Sequence, residues 1–382
     1  MKKIVFVTGT RADYSKMKII ISRLDNLDGF DVHVFVCGMH TMKKCGNTYK
    51  DILDDQHKNI HIAFETSQYT NMSDSLGGTI LSFSEYVYKI QPDLIVVHGD
   101  RIEALAGAVV GCLNNVIVAH IEGGEISGTI DESLRHAITK LSHIHFVSNS
   151  EAKRRVIQIG EKEHSVYIVG SPDIDIMLDG RIPKVEDVKA DYKITFDKYG
   201  ILIYHPVTTE YDIIEYNVRQ LLEALKDSGK NYIVILPNND LGADLILNAY
   251  KQLANNPKFN IVSSVKFEQF LSILKNAEFI IGNSSAGIKE ACVYGIPAID
   301  VGTRQRGRYS VEKIKNIVHV DENRFKILDA IENVNKYRYV SSIFGSGDSS
   351  EKIVDILNRQ EFWYVSIQKQ FVDLKKLRDS FH

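Results

Sequence analysis

The stretch PDLIVVHGDRIEALAGAVVGCLNNVIVAHIEGG, residues 92–124, decides the fold of this chain. It contains two apolar runs, LIVV at 94–97 and VIVA at 116–119, and the segment between them has apolar residues at helical spacing. Neither run alternates with polar residues, which is typical of strands buried on both faces of a parallel sheet. The stretch therefore predicts a strand, a helix and a second, parallel strand of an α/β domain.

Runs of the same kind recur in two series, separated by the charged, proline-containing patch GRIPKVEDVKADYK at 180–193. The first series is KIVFVTG, DVHVFVCG, PDLIVVHGD, VIVAHIEGG, HIHFVSN and VYIVGSPD, and the second is ILIYHPV, NYIVILPN, FNIVSSV, EFIIGNSS, IPAIDVG and NIVHVD. A chain of 382 residues is also too long for one ordinary core. We therefore predict two Rossmann-like, doubly wound α/β domains, residues 1–175 and 195–358, with an active site in the cleft between them.

The C-terminal stretch SSEKIVDILNRQEFWYVSIQKQFVDLKKLRDS, residues 349–380, follows the last predicted strand. Its apolar residues recur at spacings of three and four, which predicts helix throughout. Since no strand remains for this helix to precede, we expect the segment from about 360 to 382 to pack back onto the N-terminal domain.

The composition excludes several classes of function. The chain has 46 Lys and Arg against 49 Asp and Glu, a net charge of −3, without the basic stripe of a protein that binds nucleic acid or an anionic membrane. No window approaches the roughly 18 uninterrupted apolar residues of a membrane span, so we expect a soluble, cytoplasmic protein. The four cysteines lack C-x-x-C spacing, which favours buried free thiols over a zinc site or disulfides.

The polar side chains of interest follow strands, where open α/β sheets bind their ligands. The first such loop, TGTRADYSK at 8–16, has a single glycine and so lacks the G-x-G-x-x-G pattern of nicotinamide dinucleotide sites. Its Arg11, Ser15 and Lys16 suit an anionic or nucleotide ligand, although an arginine at a surface turn has an equally good structural explanation.

A second loop, IGNSSAGIKE at 281–290, places Ser284 and Ser285 at the predicted start of a helix. Backbone N–H groups and hydroxyls can hold a phosphate there, or the serine can simply cap the helix. Glu290 lies further along, where its carboxylate could accept ribose hydroxyls, and Arg304 follows in GTRQRGR. Together these residues favour a nucleotide diphosphate as the ligand.

The acidic loop HIEGGEISGTIDESLRH, residues 120–136, carries four carboxylates in seventeen residues. Thr129 and Glu132 have the spacing of a capping box, which gives Glu132 a structural role. Asp131 would lie in the first turn of the helix, where the helix dipole favours a negative charge, with Arg135 one turn later. A structural and a catalytic role for Asp131 therefore both remain open.

Other titratable residues lie at or near strand ends. Asp100 and Glu122 end two buried strands, so we expect them to lie in one crevice with raised pKa values, as acid and base work near neutral pH requires. His205 precedes a proline at the end of another strand, where it suits a phosphate or a leaving group, a structural histidine being the alternative. His143 and His145 share one strand face, but a metal site would lack a third ligand.

Eight segments form one ordered set along the chain: TGTRADYSKMK, VVHGDRIEALAGA, HIEGGEISGTIDESLRHAITKLSH, GSPDIDIM, HPVTTE, PNND, IGNSSAGIKE and DVGTRQ. With this set the sequence resembles the hydrolysing UDP-N-acetylglucosamine 2-epimerases of sialic acid synthesis, over nearly its whole length. The resemblance implies a glycosyltransferase-B-like fold that binds UDP, with no metal and no cofactor. It also implies a homodimer or a homotetramer.

The resemblance further implies a reaction and a set of residues. UDP-N-acetylglucosamine would be converted to N-acetylmannosamine and UDP, by elimination to a glycal and rehydration. The catalytic positions are Asp100, Glu122 and Asp131, with His205, and the UDP-binding positions are Arg11, Ser15, Arg101, Asn238, Val265, Ser284, Ser285, Glu290 and Arg304. Alternatives are the same reaction on UDP-N,N'-diacetylbacillosamine for legionaminic acid, a retaining glycosyltransferase of the same fold, and a regulator that binds nucleotide sugars.

Overall fold

The chain forms two compact units, each with its own sheet. The computed structural model describes residues 1–43, 46–63, 71–127, 130–180, 182–237, 240–307, 309 and 314–373. One unit comprises Met1–Leu178 together with Gly345–His382, and the other comprises Asp179–Phe344. The prediction of two doubly wound α/β domains is confirmed, because all strand pairs in both sheets are parallel.

The N-terminal unit contains a seven-stranded sheet of order β3-β2-β1-β4-β5-β6-β7. Its elements are β1 (Lys2–Thr8), α1 (Arg11–Asp25), β2 (Phe30–Val36), α2 (Tyr49–Asp54), β3 (Asn59–Ile62), α3 (Met72–Ile90), β4 (Leu94–His98), α4 (Ile102–Leu113), β5 (Ile117–Ile121), α5 (Ile130–Leu141), β6 (Ile144–Val147), α6 (Ser150–Gln158), β7 (Val166–Ile168) and α7 (Pro172–Leu178). The order reverses between β1 and β4, which is the position where such sheets bind ligands.

The C-terminal unit contains a six-stranded sheet of order β10-β9-β8-β11-β12-β13. Its elements are α8 (Val185–Asp191), β8 (Gly200–Ile203), α9 (Ile214–Asp227), β9 (Tyr232–Ile235), α10 (Ala243–Tyr250), β10 (Phe259–Val262), α11 (Phe267–Lys275), β11 (Phe279–Gly282), α12 (Glu290–Tyr294), β12 (Ala298–Val301), β13 (Ile317–Val320) and α13 (Arg324–Glu332). Here the order reverses between β8 and β11. In the described part of both units, no helix is long and apolar enough to cross a membrane.

Two glycines explain how the stretch at 92–124 packs. Strands β4 and β5 are buried along their whole length. A Cβ atom at Gly107 in α4 would come within 2.7 Å of Val97, and one at Gly111 within 2.4 Å of Val118. Because both distances are too short for real carbon contacts, glycine at these positions is what lets the helix lie directly on the two strands.

The C-terminal stretch differs from its prediction. It forms α14 (Ser349–Leu357), a 3-10 turn at Gln360–Tyr364 and then no helix through residue 373, while residues 374–382 lie outside the described part. We call residues 365–373 the C-terminal arm. The helix prediction was wrong for the arm because V-S-I-Q-K-Q alternates with period two, and half-buried Val365 and Ile367 pack on the core of the N-terminal unit.

The cysteines do not form disulfides in the described part of the chain. Cys37 and Cys292 are buried cysteines that donate to the carbonyls of Thr8 and Lys289, and Cys112 is half-buried. Cys45 lies outside the described residues.

Asp175 in α7 holds α14 to the N-terminal unit. Its buried carboxylate accepts hydrogen bonds from the backbone N–H groups of Ser349, at 2.9 Å, and Ser350, at 2.6 Å. We expect Asp175→Ala to lower the free energy of unfolding of this unit by about 2–4 kcal/mol, because two charge-assisted hydrogen bonds are lost and two buried donors lose their acceptor. Urea unfolding followed by the fluorescence of Trp363, the single tryptophan of the chain, measures this loss.

Asp348 supplies the control for this prediction. It lies just before α14, but its carboxylate is exposed and pairs with Lys352 at 2.9 Å. We expect Asp348→Ala to change the free energy of unfolding by less than about 1 kcal/mol, as for other exposed ion pairs. Equal losses in the two variants would contradict the role given to Asp175.

Candidate active site

Glu122 ends β5 in a strained and buried position. Its φ of 67° lies in the left-handed region that favours glycine, and its side chain is 7% exposed. The carboxylate accepts a hydrogen bond from the Ser171 hydroxyl at 2.8 Å and lies 3.2 Å from the Lys16 ammonium. Such strain costs about 1–3 kcal/mol and persists where the surroundings hold it, often at functional sites.

Three further residues complete the surroundings of Glu122. The Lys16 ammonium also lies 3.5 Å from the carboxylate of Asp173, which is completely buried in α7. His98, at the end of β4, lies with Nε2 3.5 Å from the Glu122 carboxylate. Lys16 and Asp173 lie in the segments TGTRADYSKMK and GSPDIDIM, but no role was predicted for Asp173. The available signal was a pair of carboxylates, Asp173 and Asp175, among the apolar residues of PDIDIML.

Asp100 follows β4 and forms an ion pair with Arg135 of α5. Arg135 is 3% exposed and also donates to the carbonyl of Glu125 at 3.2 Å. The Asp100 side chain keeps 22% of its surface exposed. Arg135 thus ties three segments together: the loop after β4, the acidic loop and helix α5. The helical spacing predicted Arg135 beside Asp131, and its pairing with Asp100 was not predicted.

The carboxylates of the acidic loop divide into two kinds. Glu125 accepts a hydrogen bond from Ser148 at 2.9 Å, and Glu132 accepts one from the backbone N–H of Ser127 at 2.8 Å. These two carboxylates therefore hold the loop itself. Asp131 lies half-buried in the first turn of α5, while Thr129, the predicted capping partner of Glu132, lies outside the described residues.

His120 in β5 connects the loop of Asp100 to helix α5. Burial lowers its pKa to about 3, so the ring is neutral at physiological pH. Nε2 lies 2.7 Å from the carbonyl of Gly99, which can only accept, so this nitrogen carries the proton and donates. Nδ1 then accepts from the Thr139 hydroxyl at 3.0 Å. A neutral histidine therefore fixes Gly99, next to Asp100, against α5.

The two arginines of the predicted set in this unit are exposed. Arg11 begins α1 with 46% of its side chain exposed and pairs with Asp51 at 2.7 Å. Arg101 is the residue before α4, is 47% exposed, and lies 3.9 Å from Glu103. Ser15 is buried and donates to the carbonyl of Ala12. The arginines are therefore accessible cations at the carboxyl ends of β1 and β4, where the strand order reverses.

In the C-terminal unit, Asn283 organises the ends of β8 and β11. Its side-chain amide donates to the carbonyl of His205 at 2.8 Å and accepts from the His205 N–H at 2.7 Å. The Asn283 carbonyl accepts from Arg304 at 3.2 Å. Asn283 therefore fixes the backbone of one predicted site residue and the guanidinium of another. Asn283 lies in the segment IGNSS, where only the serines were predicted to belong to the site.

The serine loop differs in detail from its prediction. Ser284 caps a 3-10 turn at Ser285–Gly287, accepting from the N–H of Ala286, and α12 begins only at Glu290. The expected helix start is thus a short turn followed by a helix of five residues. Glu290 is buried and Val265 is half-buried just before α11, whereas Asn238 lies outside the described residues.

His145 lies in β6 and His143 just before it, and both bond to groups of the N-terminal unit. His143 Nδ1 accepts from the backbone N–H of Val118 at 3.1 Å, and His145 Nε2 lies 3.2 Å from the Glu161 carboxylate. Across the described ranges, no group of three or more His, Cys, Asp or Glu side chains is arranged to hold a metal ion.

Known proteins resemble this chain over nearly its full length. The sequence family described as UDP-N-acetylglucosamine 2-epimerase matches residues 22–358. A protein of Neisseria meningitidis serogroup B, named UDP-N-acetylglucosamine 2-epimerase, is 44% identical over 98% of this chain and 100% of its own. A Legionella pneumophila protein, named UDP-N,N'-diacetylbacillosamine 2-epimerase (hydrolyzing), is 35% identical over 94% and 96% of the two chains.

A solved structure is similar as well. The UDP-GlcNAc 2-epimerase of Methanocaldococcus jannaschii, in complex with UDP-GlcNAc and UDP, is 25% identical, with a TM-score of 0.79. The match covers 94% of this chain and 99% of the archaeal chain.

Proposed function

This chain belongs to the UDP-N-acetylglucosamine 2-epimerase family, and from that premise we propose that it hydrolyses UDP-N-acetylglucosamine to N-acetylmannosamine and UDP with inversion at C2. The family and the kind of enzyme predicted from the ordered segments are thereby confirmed. The observation that carries the proposed chemistry is the pair of carboxylates at the ends of neighbouring strands: Glu122 beside Lys16 and Ser171, and Asp100 beside Arg135.

The first half-reaction breaks the bond between C1 of the sugar and the UDP oxygen. UDP departs with the bonding electron pair, the C2 proton passes to a base, and a C1–C2 double bond forms to give a glycal. Glu122 suits the base, because the Lys16 ammonium stabilises its ionised form and the Ser171 hydroxyl fixes one oxygen.

The second half-reaction adds water across the double bond. A hydroxyl is added at C1, and C2 receives a proton on the face opposite to the one that lost its proton, so an acid and a base are needed again. We assign these proton transfers jointly to Asp100, Glu122 and Asp131. This need for several proton carriers accounts for the number of carboxylates at the ends of β4 and β5.

The departing diphosphate needs positive charge and hydrogen-bond donors. In the C-terminal unit, Arg304, His205 and the serines of the 3-10 turn supply these, and Glu290 is proposed to accept ribose hydroxyls. Arg11 and Arg101 add exposed cations from the N-terminal unit. Such fixed groups stabilise the negative charge that develops as the C1–O bond breaks.

The test is to incubate the purified protein with UDP-N-acetylglucosamine and no acceptor sugar. We expect free N-acetylmannosamine and UDP in equal amounts, with deuterium at C2 when the reaction is run in D₂O. A product without label at C2 would exclude the glycal route. Release of UDP only after an acceptor sugar is added would favour a retaining glycosyltransferase.

UDP-N,N'-diacetylbacillosamine is the second candidate substrate. It is supported by the Legionella pneumophila relative, whose name gives this sugar nucleotide. The two substrates differ at C4 and C6, so side chains around the sugar decide between them. Comparing kcat/KM for the two nucleotide sugars in one preparation identifies the preferred one. A homodimer or homotetramer and a cytoplasmic location stay predictions, and sedimentation analysis checks the first.

A variant of Asn283 tests the UDP-binding part of the proposal. Asn283→Asp keeps the shape and the acceptor for the His205 N–H, but replaces the donor to the His205 carbonyl by a negative charge. We expect the Kd for UDP to rise about tenfold or more, the equivalent of one lost hydrogen bond or more. Isothermal titration calorimetry with UDP measures the change.

Asn276 provides the matched control. In the same unit, its side chain donates to the carbonyl of Ser272 at 2.9 Å, at the end of α11. We expect Asn276→Asp to bind UDP as the unmodified protein does. An unchanged Kd in Asn283→Asp would contradict the proposed role of the β8 and β11 ends.

A further inference from the structure

Lys369 of the C-terminal arm contacts the end of helix α5. Its ammonium donates to the carbonyl of Lys140 at 2.7 Å and to the carbonyl of Ser142. The last carbonyls of a helix have no partner within the helix, and a cation beside them also interacts favourably with the helix dipole. A side chain 229 positions further along the chain thus caps α5.

The arm directs Lys369 inward. Val365, Ile367 and Lys369 are half-buried and alternate with exposed Ser366 and Gln368, as in an extended segment lying on a surface. The carbonyl of Ile367 accepts from His143, whose Nδ1 is already an acceptor, so Nε2 donates. The neighbouring residues of the arm therefore fix the position of Lys369. Its side chain is 22% exposed.

The arm borders a cavity of about 440 Å³ at the edge of the sheet, lined among others by Ile144 and Tyr167 of the strands and by Val365 and Lys369 of the arm. Val365 and Ile367 pack on the core of the N-terminal unit, so the arm has an apolar attachment. Lys369 adds polar contacts to it.

Glu161 fixes the Lys369 ammonium. Its buried carboxylate lies 2.7 Å from Lys369 and 2.9 Å from Lys140, and accepts from His145. Burial alone would raise the pKa of Glu161, but hydrogen bonds from His145, Lys369 and Lys140 hold it at about 2. Glu161 is therefore ionised at neutral pH and keeps the ammonium beside the end of α5.

The opposite end of α5 carries the candidate active site. Asp131 lies in its first turn, and Arg135, one turn later, pairs with Asp100. Thr139, near the capped end, bonds His120, which in turn holds Gly99. A helix of 12 residues is a stiff rod about 18 Å long, so a shift at its capped end moves the residues at the other end.

We propose that Lys369 is a positioning residue for the epimerase reaction: by capping α5 from the C-terminal arm, it holds Asp131 and Arg135 in place. The catalytic consequence of this inference rests on the proposed function. The effect on the helix itself does not, because it follows from the contacts of Lys369 alone.

The test compares single variants of the full chain. Lys369→Met removes the charge and the hydrogen-bond donors but keeps a similar side-chain volume. We expect kcat to fall roughly 10- to 100-fold and KM to change less than about threefold, because a small displacement of the reacting groups slows the chemical step more than it weakens binding. Lys369→Arg should restore most of the activity, because it keeps the charge and the donors. Lys153→Met is the matched control, since Lys153 pairs with Glu163 at 3.3 Å in the same unit.

Hydrogen exchange of the α5 amides, residues 130–141, separates the positioning role from the activity. Exchange should be faster in Lys369→Met than in Lys153→Met or the unmodified protein. Lys369→Gln is a milder variant for the case that Lys369→Met folds poorly, and its exchange should be intermediate. Unchanged α5 exchange in both Lys369 variants would overturn the inference, even if the unmodified protein turned over neither nucleotide sugar. Normal kcat in a folded Lys369→Met would also overturn it, whereas inactivity of the unmodified protein would count only against the proposed function.

Discussion

Replacing Glu122 by glutamine is expected to lower kcat by about 10²- to 10⁴-fold, the range that a positioned acid or base contributes. Glutamine keeps the size of the side chain and can still accept from the Ser171 hydroxyl, so the strained backbone at φ 67° keeps its surroundings. It loses the charge that pairs with Lys16 and the ability to take a proton. We therefore expect the chemistry to fail while the fold and the binding of UDP persist.

Release of UDP and of free sugar from UDP-N-acetylglucosamine measures this effect, with the Kd for UDP from calorimetry beside it. Glu132→Gln is the control within the same loop, because an amide oxygen can still accept from the N–H of Ser127. We expect its turnover to stay within about threefold of the unmodified protein. A regulator that only binds nucleotide sugars would show no loss in either variant, and full turnover in Glu122→Gln would exclude the role assigned here.

The strands were predictable because burial on both faces leaves a clear pattern. Each run of the two quoted series overlaps a strand of the structure. The exception is β3, Asn59–Ile62, which no run predicted. It lies at the edge of its sheet with its four residues partly exposed, so its sequence NIHI alternates polar and apolar residues over too short a length to stand out.

The candidate site was predictable only in part. Asp100 and Glu122 follow neighbouring parallel strands, and the carboxyl ends of such strands meet at one edge of the sheet. Their partners could not be read in the same way. Lys16 lies 106 positions from Glu122 in the sequence. Arg135 was assigned to Asp131 because a spacing of four residues places two side chains on one face of a helix. The contact of Arg135 with Asp100 depends instead on how α5 packs, which the sequence pattern does not show. The Lys369 contacts were hidden by the incorrect helix prediction for the arm.

Replacing Arg135 by methionine is expected to destabilise the N-terminal unit by about 3 kcal/mol, the lower end of the cost of breaking a buried ion pair. The lower end applies because 22% of the Asp100 side chain is exposed and water can partly solvate the carboxylate that is left behind. Hydrogen bonds to the carbonyl of Glu125 and to Ser127 are lost as well. Turnover should fall as well, since Asp100 loses the cation that fixes its carboxylate.

The double variant Arg135→Met with Asp100→Asn distinguishes the two effects. Removing both charges avoids an unpaired carboxylate, so part of the lost stability should return, while turnover stays low because Asp100 is proposed to carry protons. Urea unfolding and kcat/KM for UDP-N-acetylglucosamine measure the two quantities. The control is Arg154, which pairs with Glu151 and has a side chain that is 74% exposed. Arg154→Met should change the free energy of unfolding by less than about 0.5 kcal/mol. If Arg135→Met were no less stable than Arg154→Met, the ion pair with Asp100 would not hold the loop after β4 to α5, and α5 could not position the candidate catalytic residues in the way proposed here.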